Sequence, residues 1–184
     1  MRPVTRADIV DYQTYGDGRD EFRRAVMAAK DVRRVHVGEH VTLLFENHLT
    51  VRYQIQEIMR VERIAREADV QNEIDTYNEL LGGDGELGCT MLIEIDDPEE
   101  RARKLTAWLG LPARVLLELD DGTRVAPTVD ARQRDGTRLS SVQYVKYAVG
   151  GRLPVAVGID FPGAEARTEL NDAQRAALRE DLRG

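Results

Sequence analysis

Hydrophobic positions along this chain follow two periods, and the dominant one changes near residue 83. Before that point apolar residues recur mainly every three or four positions, as on a helix with one buried stripe. Beyond it they mainly alternate, as on a strand with one face in the core. Phe22, Ala25, Val26, Ala29 and Val32 make one helical stripe and predict a helix over 20–33 with Asp20 as its cap. Upstream, Thr5-Arg6-Ala7-Asp8 spells a capping box, so a short helix is expected over 6–12, broken by Tyr15-Gly16-Asp17-Gly18. Between the helical segments, Val35 to Phe45 is rich in β-branched residues around Gly38-Glu39, which predicts a hairpin with a two-residue turn. Asn47 caps an expected long helix over 48–66. Val70, Ile74, Tyr77 and Leu81 predict another over 70–81, ended by Gly82-Gly83.

In the second half, every odd position from Leu87 to Ile95 is apolar or cysteine, the pattern of a half-buried strand. Asp97-Pro98-Glu99-Glu100 then starts a helix, with Ala102, Leu105, Trp108 and Leu109 facing inward and Gly110-Leu111-Pro112 at its end. Strands are expected over 114–119 and 123–129, joined by the turn Asp120-Asp121-Gly122, and again over 140–149 and 153–161. A closing helix runs from Asn171 to 182. The expected fold class is α+β: a helix-rich N-terminal half with a β-hairpin, packed on a mainly antiparallel sheet from the C-terminal half. Neither half alone offers a large core, so residues 1–184 are expected to form one domain.

Composition narrows the classes of partner. The formal charge of −7 disfavours a nucleic-acid backbone or an anionic membrane, whose phosphates repel an acidic surface. Arg33-Arg34 and the series Arg60, Arg63, Arg66 read as solvated helix faces, because acidic residues are interleaved with them. No apolar run approaches the roughly 20 residues that span a bilayer, and the N-terminal residues lack the apolar middle of a secretory signal. The expected location is the cytoplasm. The single cysteine, Cys89, excludes an internal disulfide, and its place on an apolar strand face marks an inert buried thiol. The glycines spell neither a P-loop nor a dinucleotide fingerprint, and Ser140-Ser141 lacks a nucleophile-elbow context.

Candidate chemistry gathers between residues 35 and 62. His36, His40 and His48 fall within thirteen positions, and histidine is the commonest transition-metal ligand. His36-Val37-Gly38-Glu39-His40 also matches the H-x-x-E-H spelling of inverted zinc proteases, but that motif needs a helix. A two-residue turn instead pairs Val37 with His40 and His36 with Val41, which puts the two histidines on opposite faces. They then meet only at a sheet edge or across a subunit interface; otherwise they are a turn histidine and a hydrogen-bonded strand histidine. On the following helix, Arg52, Gln56, Arg60 and Arg63 form a narrow polar arc, while Gln54, Glu57 and Glu62 interrupt the apolar remainder. A buried carboxylate must be paired, protonated or metal-bound. Glu57 and Glu62 are therefore either partners of an arginine such as Arg33 or Arg34, or candidate general bases. His36, His40, Glu46, His48 and Glu57 form the candidate metal set, for iron or zinc.

The run Val35 to Asn47, continuing through Val51-Arg52-Tyr53-Gln54-Ile55-Gln56-Glu57-Ile58, resembles the signature of a bacterial family, domain of unknown function 3501. The likeness extends over the whole chain, including Asp97-Pro98-Glu99-Glu100-Arg101 and the closing helix. The family signature has another polar residue where His48 stands. The resemblance brings no catalytic residues. It implies a setting beside rubrerythrin-like proteins and iron–sulfur oxidoreductases, and so a role in iron or peroxide handling. Two functions are expected from these features. One is an accessory or metal-binding protein of a redox or oxidative-stress system, docking a redox metalloprotein, with a homo-oligomer left open. The other is a metal-independent enzyme or binding protein for a small anionic molecule, with Glu57 or Glu62 as base and an arginine or histidine on the anion.

Overall fold

Alternating apolar positions build two antiparallel sheets in the computed structural model, which describes residues 1–130 and 136–183. The strands are β1 (Arg34–Val37), β2 (Val41–Phe45), β3 (Glu86–Ile93), β4 (Val115–Leu119), β5 (Arg124–Val125), β6 (Thr128–Val129), β7 (Val142–Ala148), β8 (Pro154–Ile159) and β9 (Ala166–Glu169). The helices are α1 (Tyr12–Asp31), α2 (His48–Glu62), α3 (Glu67–Asn78), α4 (Pro98–Ala107) and α5 (Asp172–Arg183). The first sheet has the order β1-β2-β3-β7-β6 and the second β5-β4-β8-β9. The α+β expectation holds, with strands from the N-terminal hairpin built into a sheet completed by the C-terminal half.

Register decides what each face of the first sheet carries. Val35, Leu43, Met91 and Gln143 stand in one row, and Phe45, Cys89 and Val145 in the next on the same face. These apolar residues form one core with Val115, Leu117, Leu119, Val157 and Ile159 of the second sheet. The buried Tyr147 ties the two layers, its hydroxyl donating to the Val115 carbonyl at 3.0 Å. The opposite face carries Arg34, Leu44, Thr90 and Tyr144 in one row and His36, Thr42, Leu92 and Val142 in another. A second core lies among the helices. Val51, Ile55 and Met59, four apart on α2, pack with Val70 and Ile74 of α3 and with Val4 and Ile9.

Several local expectations change. Helix α1 begins at Tyr12, not at 20, so Gly16 and Gly18 lie inside it. Asp11 caps it, accepting from the amides of Gln13 and Thr14 at 3.0 Å. Each exposed helical glycine costs about 1 kcal/mol, offset here by the cap and by Tyr15 packing edge-on against Phe22. The expected helix over 6–12 is a single 3-10 turn, Arg6–Asp8. The hairpin turn holds three residues, Gly38-Glu39-His40, so Val37 pairs with Val41 and His36 with Thr42. His40 therefore sits in the turn and takes no strand face. Helix α2 stops at Glu62 because Arg63 turns left-handed, with φ 53°, and α3 starts three residues earlier than expected, at Glu67.

Gln56, placed on the solvent arc by its spacing, is buried. Its amide pairs with both the N–H and the C=O of Val10, because the N-terminal segment crosses α2 there. The expected strand over 123–129 divides at Ala126-Pro127: β5 pairs with β4 in one sheet and β6 with β7 in the other. Strand β9 was not anticipated, since its residues are mostly polar and it lies at a sheet edge.

Arg33 closes the fold by joining the end of α1 to α5. Its guanidinium donates twice to Asp181, at 2.7 and 2.9 Å, with both side chains under 8% exposed. Removing one partner strands the other charge in the interior. Asp181→Ala is expected to lose about 3–5 kcal/mol in urea denaturation, and the Arg33→Met/Asp181→Leu double variant less than that. A loss below about 1 kcal/mol for Asp181→Ala would mean that the pair behaves like an exposed one.

Candidate functional site

Strand β2 runs almost directly into α2, and this junction holds the most buried carboxylate of the described residues. The Glu46 amide bonds the Gly88 carbonyl at 2.9 Å, and Asn47 caps α2 by accepting from the Thr50 amide at 3.0 Å. Glu46 is 1% exposed. Its Oε1 accepts from the Thr90 hydroxyl at 2.6 Å, and its Oε2 from the Thr50 hydroxyl at 2.5 Å and the Gln54 amide at 3.1 Å. Three neutral donors thus satisfy it, which explains the embedded Gln54. Lys30, in the last turn of α1, feels both the attraction of Glu46 and the repulsion of Arg34, and burial, the foremost cause, lowers its pKa. Its ammonium stands 5.2 Å from the centre of the Tyr53 ring.

The five candidate metal ligands go to separate settings. His36 is exposed on β1 and donates from Nδ1 to the Thr42 hydroxyl at 2.8 Å, while that hydroxyl donates to Glu94. His40 donates from Nδ1 to the Glu94 carbonyl at 3.2 Å and accepts from the Lys104 ammonium, beside the Trp108 ring. His48 accepts from the Arg2 guanidinium at 2.7 Å and lies 3.6 Å from Asp8. Glu46 is enclosed as described, and Glu57 faces α1. Among the described residues no three His, Cys, Asp or Glu side chains stand together as a metal would require. The geometry that separates them is the three-residue turn and the direct run of β2 into α2. Neither feature was written in the spacing of the histidines.

Glu57 is paired, but with Arg19 instead of Arg33 or Arg34. Arg19 donates to it at 2.7 and 3.0 Å, Tyr15 at 2.6 Å and Arg60 at 3.3 Å. These donors, Arg19 foremost, outweigh burial and hold its pKa down at about 2. Burial and the neighbouring carboxylate push the Tyr15 hydroxyl up. The pairing depends on the two extra turns of α1, which carry Tyr15 and Arg19 alongside α2. The stripe Tyr15, Arg19, Phe22 was the available signal, hidden by the glycines between. Of the two arginines proposed as partners, Arg33 is taken by Asp181.

Glu62 is exposed, on the last turn of α2, and it lines a cleft of ≈ 830 Å³ between α2 and α3 on one side and β6 and β7 on the other. Ile58 and Leu80 give the cleft an apolar surface, Tyr77 and Tyr144 line it with rings, Glu73, Glu79 and Asp130 add carboxylates to that of Glu62, and Lys146 of β7 adds one ammonium. The Tyr77 hydroxyl is pushed up by burial first and then by the charges of Glu73, Tyr144 and Glu62, so it stays protonated. The sequence had placed Tyr77 only as a core position on a helix stripe. Its ring faces this cleft because β7 lies opposite α3, a long-range pairing that no local pattern carries. A smaller cleft, ≈ 310 Å³, lies around His40, Lys104 and Trp108. Cys89 is buried and its thiol pKa is raised by burial, as an inert core thiol requires.

The chain belongs to the family described as "Protein of unknown function (DUF3501)", whose model matches residues 3–182. It is similar to a solved structure from Burkholderia pseudomallei, described as a novel protein of unknown function, with 29% sequence identity and a TM-score of 0.91. The likeness covers 98% of this chain and 100% of that one. None of the curated proteins matches the chain. Among the described residues, no helix is long and apolar enough to cross a membrane.

The Glu57 cluster makes a pH-dependent contribution to stability. A carboxylate whose pKa falls from 4.5 to about 2 on folding contributes about 3 kcal/mol, fully present above the unfolded pKa and lost as pH drops through the folded one. Glu57→Gln is expected to be less stable than the parent by up to about that amount at neutral pH. The gap should narrow below pH 4.5 and close near pH 2. Denaturant titrations of both proteins across this range check it. A gap independent of pH would mean that the ion pair does not hold the carboxylate charged.

Proposed function

We propose that this member of the DUF3501 family binds a small amphipathic cation, an amine on an apolar or aromatic body, in the cleft between α2, α3 and β7. The observation that carries the proposal is the approach of Glu62 and Glu73, from two helices, to the protonated Tyr77 in a cleft with apolar walls. Its volume of ≈ 830 Å³ suits a small organic ligand, for which sites of about 300–1,000 Å³ are usual. Four carboxylates, Glu62, Glu73, Glu79 and Asp130, against the single ammonium of Lys146 favour a positive head group. The Tyr77 and Tyr144 rings offer an ammonium their electron-rich faces, and Ile58 and Leu80 offer its body an apolar contact. The net charge of −7 draws cations toward the protein as a whole. The cleft is preferred to the histidine set because its groups meet in one place.

The proposal is tested by calorimetric titration with phenethylamine, phenethyl alcohol and phenylpropionate, which share a body and differ in charge. The amine is expected to bind, the alcohol more weakly, and the carboxylate not at all. Glu62→Gln and Glu73→Gln, both at the cleft surface, should each weaken the amine about five- to tenfold, roughly 1 kcal/mol apiece. Equal binding of the amine and the carboxylate, or binding unchanged in both variants, would overturn the proposal.

A further inference from the structure

The cleft between the helices and the first sheet carries different charges on its two walls. On the helical wall, Glu62 stands in the last turn of α2 and Glu73 on α3. Glu73 and Tyr77 are four apart and so share one face of α3. On the sheet wall, Tyr144 and Lys146 are two apart on β7 and therefore project from the same face. Lys146 lies opposite Thr128 of β6, which lines the cleft beside it. Lys146 is half-buried, and its ammonium is the one basic group at the cleft surface among the described residues. Four carboxylates share the cleft with it, yet among the described residues Lys146 forms neither an ion pair nor a hydrogen bond.

An ammonium partly withdrawn from water and left without an acceptor gains from any anion brought to it. A charge-assisted hydrogen bond is the stronger kind, and apolar walls weaken the screening that water imposes at an open surface. For a ligand that is only a cation, Lys146 is a repulsion. For a ligand that also carries a carboxylate at its far end, the same group becomes an attraction. The two walls belong to different layers of the fold, so the two charges of such a ligand are held apart by its body. An α-amino acid, with both charges on one carbon unit, does not reach both walls. Ile58, Leu80 and the two tyrosine rings give the joining body an apolar surface.

Resting on the amine-binding reading of this cleft, we propose that its ligand is a zwitterion with separated charges, an ammonium for Glu62 and Glu73 and a carboxylate for Lys146, joined by an apolar or aromatic body. Lys146 is then the residue that sets specificity. It favours amino acids whose charges lie at opposite ends over simple amines of the same shape. A ligand with a carboxylate alone gains Lys146 but meets four carboxylates without a compensating charge, so it stays excluded.

Calorimetric titration of the full chain tests this with three probes, benzylamine, para-(aminomethyl)benzoate and the methyl ester of the latter. All share the ring and the ammonium, and only the second has a carboxylate at the far end. The acid is expected to bind about tenfold more tightly than its ester. Lys146→Met keeps most of the side-chain stem and removes the charge. In that variant the advantage of the acid over the ester should vanish, and benzylamine, freed of a repulsion, should bind somewhat more tightly. Lys146→Arg, which keeps the charge, should retain the advantage. Equal binding of acid and ester in the parent, or an advantage that survives Lys146→Met, would overturn the zwitterion. The comparison in the parent needs no variant, so it decides the matter even where Lys146→Met fails to fold. If the acid shows no advantage while benzylamine still weakens in Glu62→Gln and Glu73→Gln, the zwitterion falls and the amine site stands. If none of the three probes binds, both fall together.

Discussion

The alternation of β2 is the constraint on which the rest of the structure depends. Val41, Leu43 and Phe45 lie in the core between the two sheets, and so Thr42 and Leu44, with Glu46 beyond the strand end, belong to the opposite side. A slip of one residue would exchange the two sets and bury the polar one between sheets. With the register held, Thr42 meets His36 and Glu94, and Glu46 meets Thr50, Gln54 and Thr90. The polar clusters of the N-terminal half therefore follow from one strand having a dry face and a face turned toward the helices.

Buried charge is handled in three ways within a short distance along the chain. Arg33 and Asp181 neutralise each other through two hydrogen bonds. Glu57 is held charged by Arg19, Arg60 and a tyrosine. Glu46 has no cation in contact among the described residues and depends on neutral hydroxyls and an amide. The first two are complete ion pairs of the kind that joins elements, α1 to α5 and α1 to α2. In the third, Lys30 is attracted by Glu46 without an ion pair among the described residues, and its ammonium lies over the Tyr53 ring.

The proposed amine site lies between the helical layer and the first sheet. The cleft is formed where α2 and α3 stand over β6 and β7. The structural relative from Burkholderia pseudomallei keeps the whole architecture at 29% identity, so the layers tolerate extensive substitution. This tolerance is expected of cores that need apolar residues of suitable volume more than particular ones.

Much of the fold was legible in the chain. The hairpin, α2, β3, α4, β7, β8 and α5 follow from periodicity and caps, because burial of one face imposes a period on each element alone. The sequence also marked 35–62 as the stretch where polar residues defy the core pattern, and Glu46, Gln54 and Glu57 are indeed embedded. Partners were beyond its reach. Arg19 instead of Arg33 meets Glu57 because α1 is two turns longer than its glycines suggested. The histidines part company because a turn took three residues instead of two, and Gln56 is buried because the N-terminal segment crosses it. Local sequence determines which faces want burial; which charges then meet depends on distances between elements, and those are decided only when the layers pack.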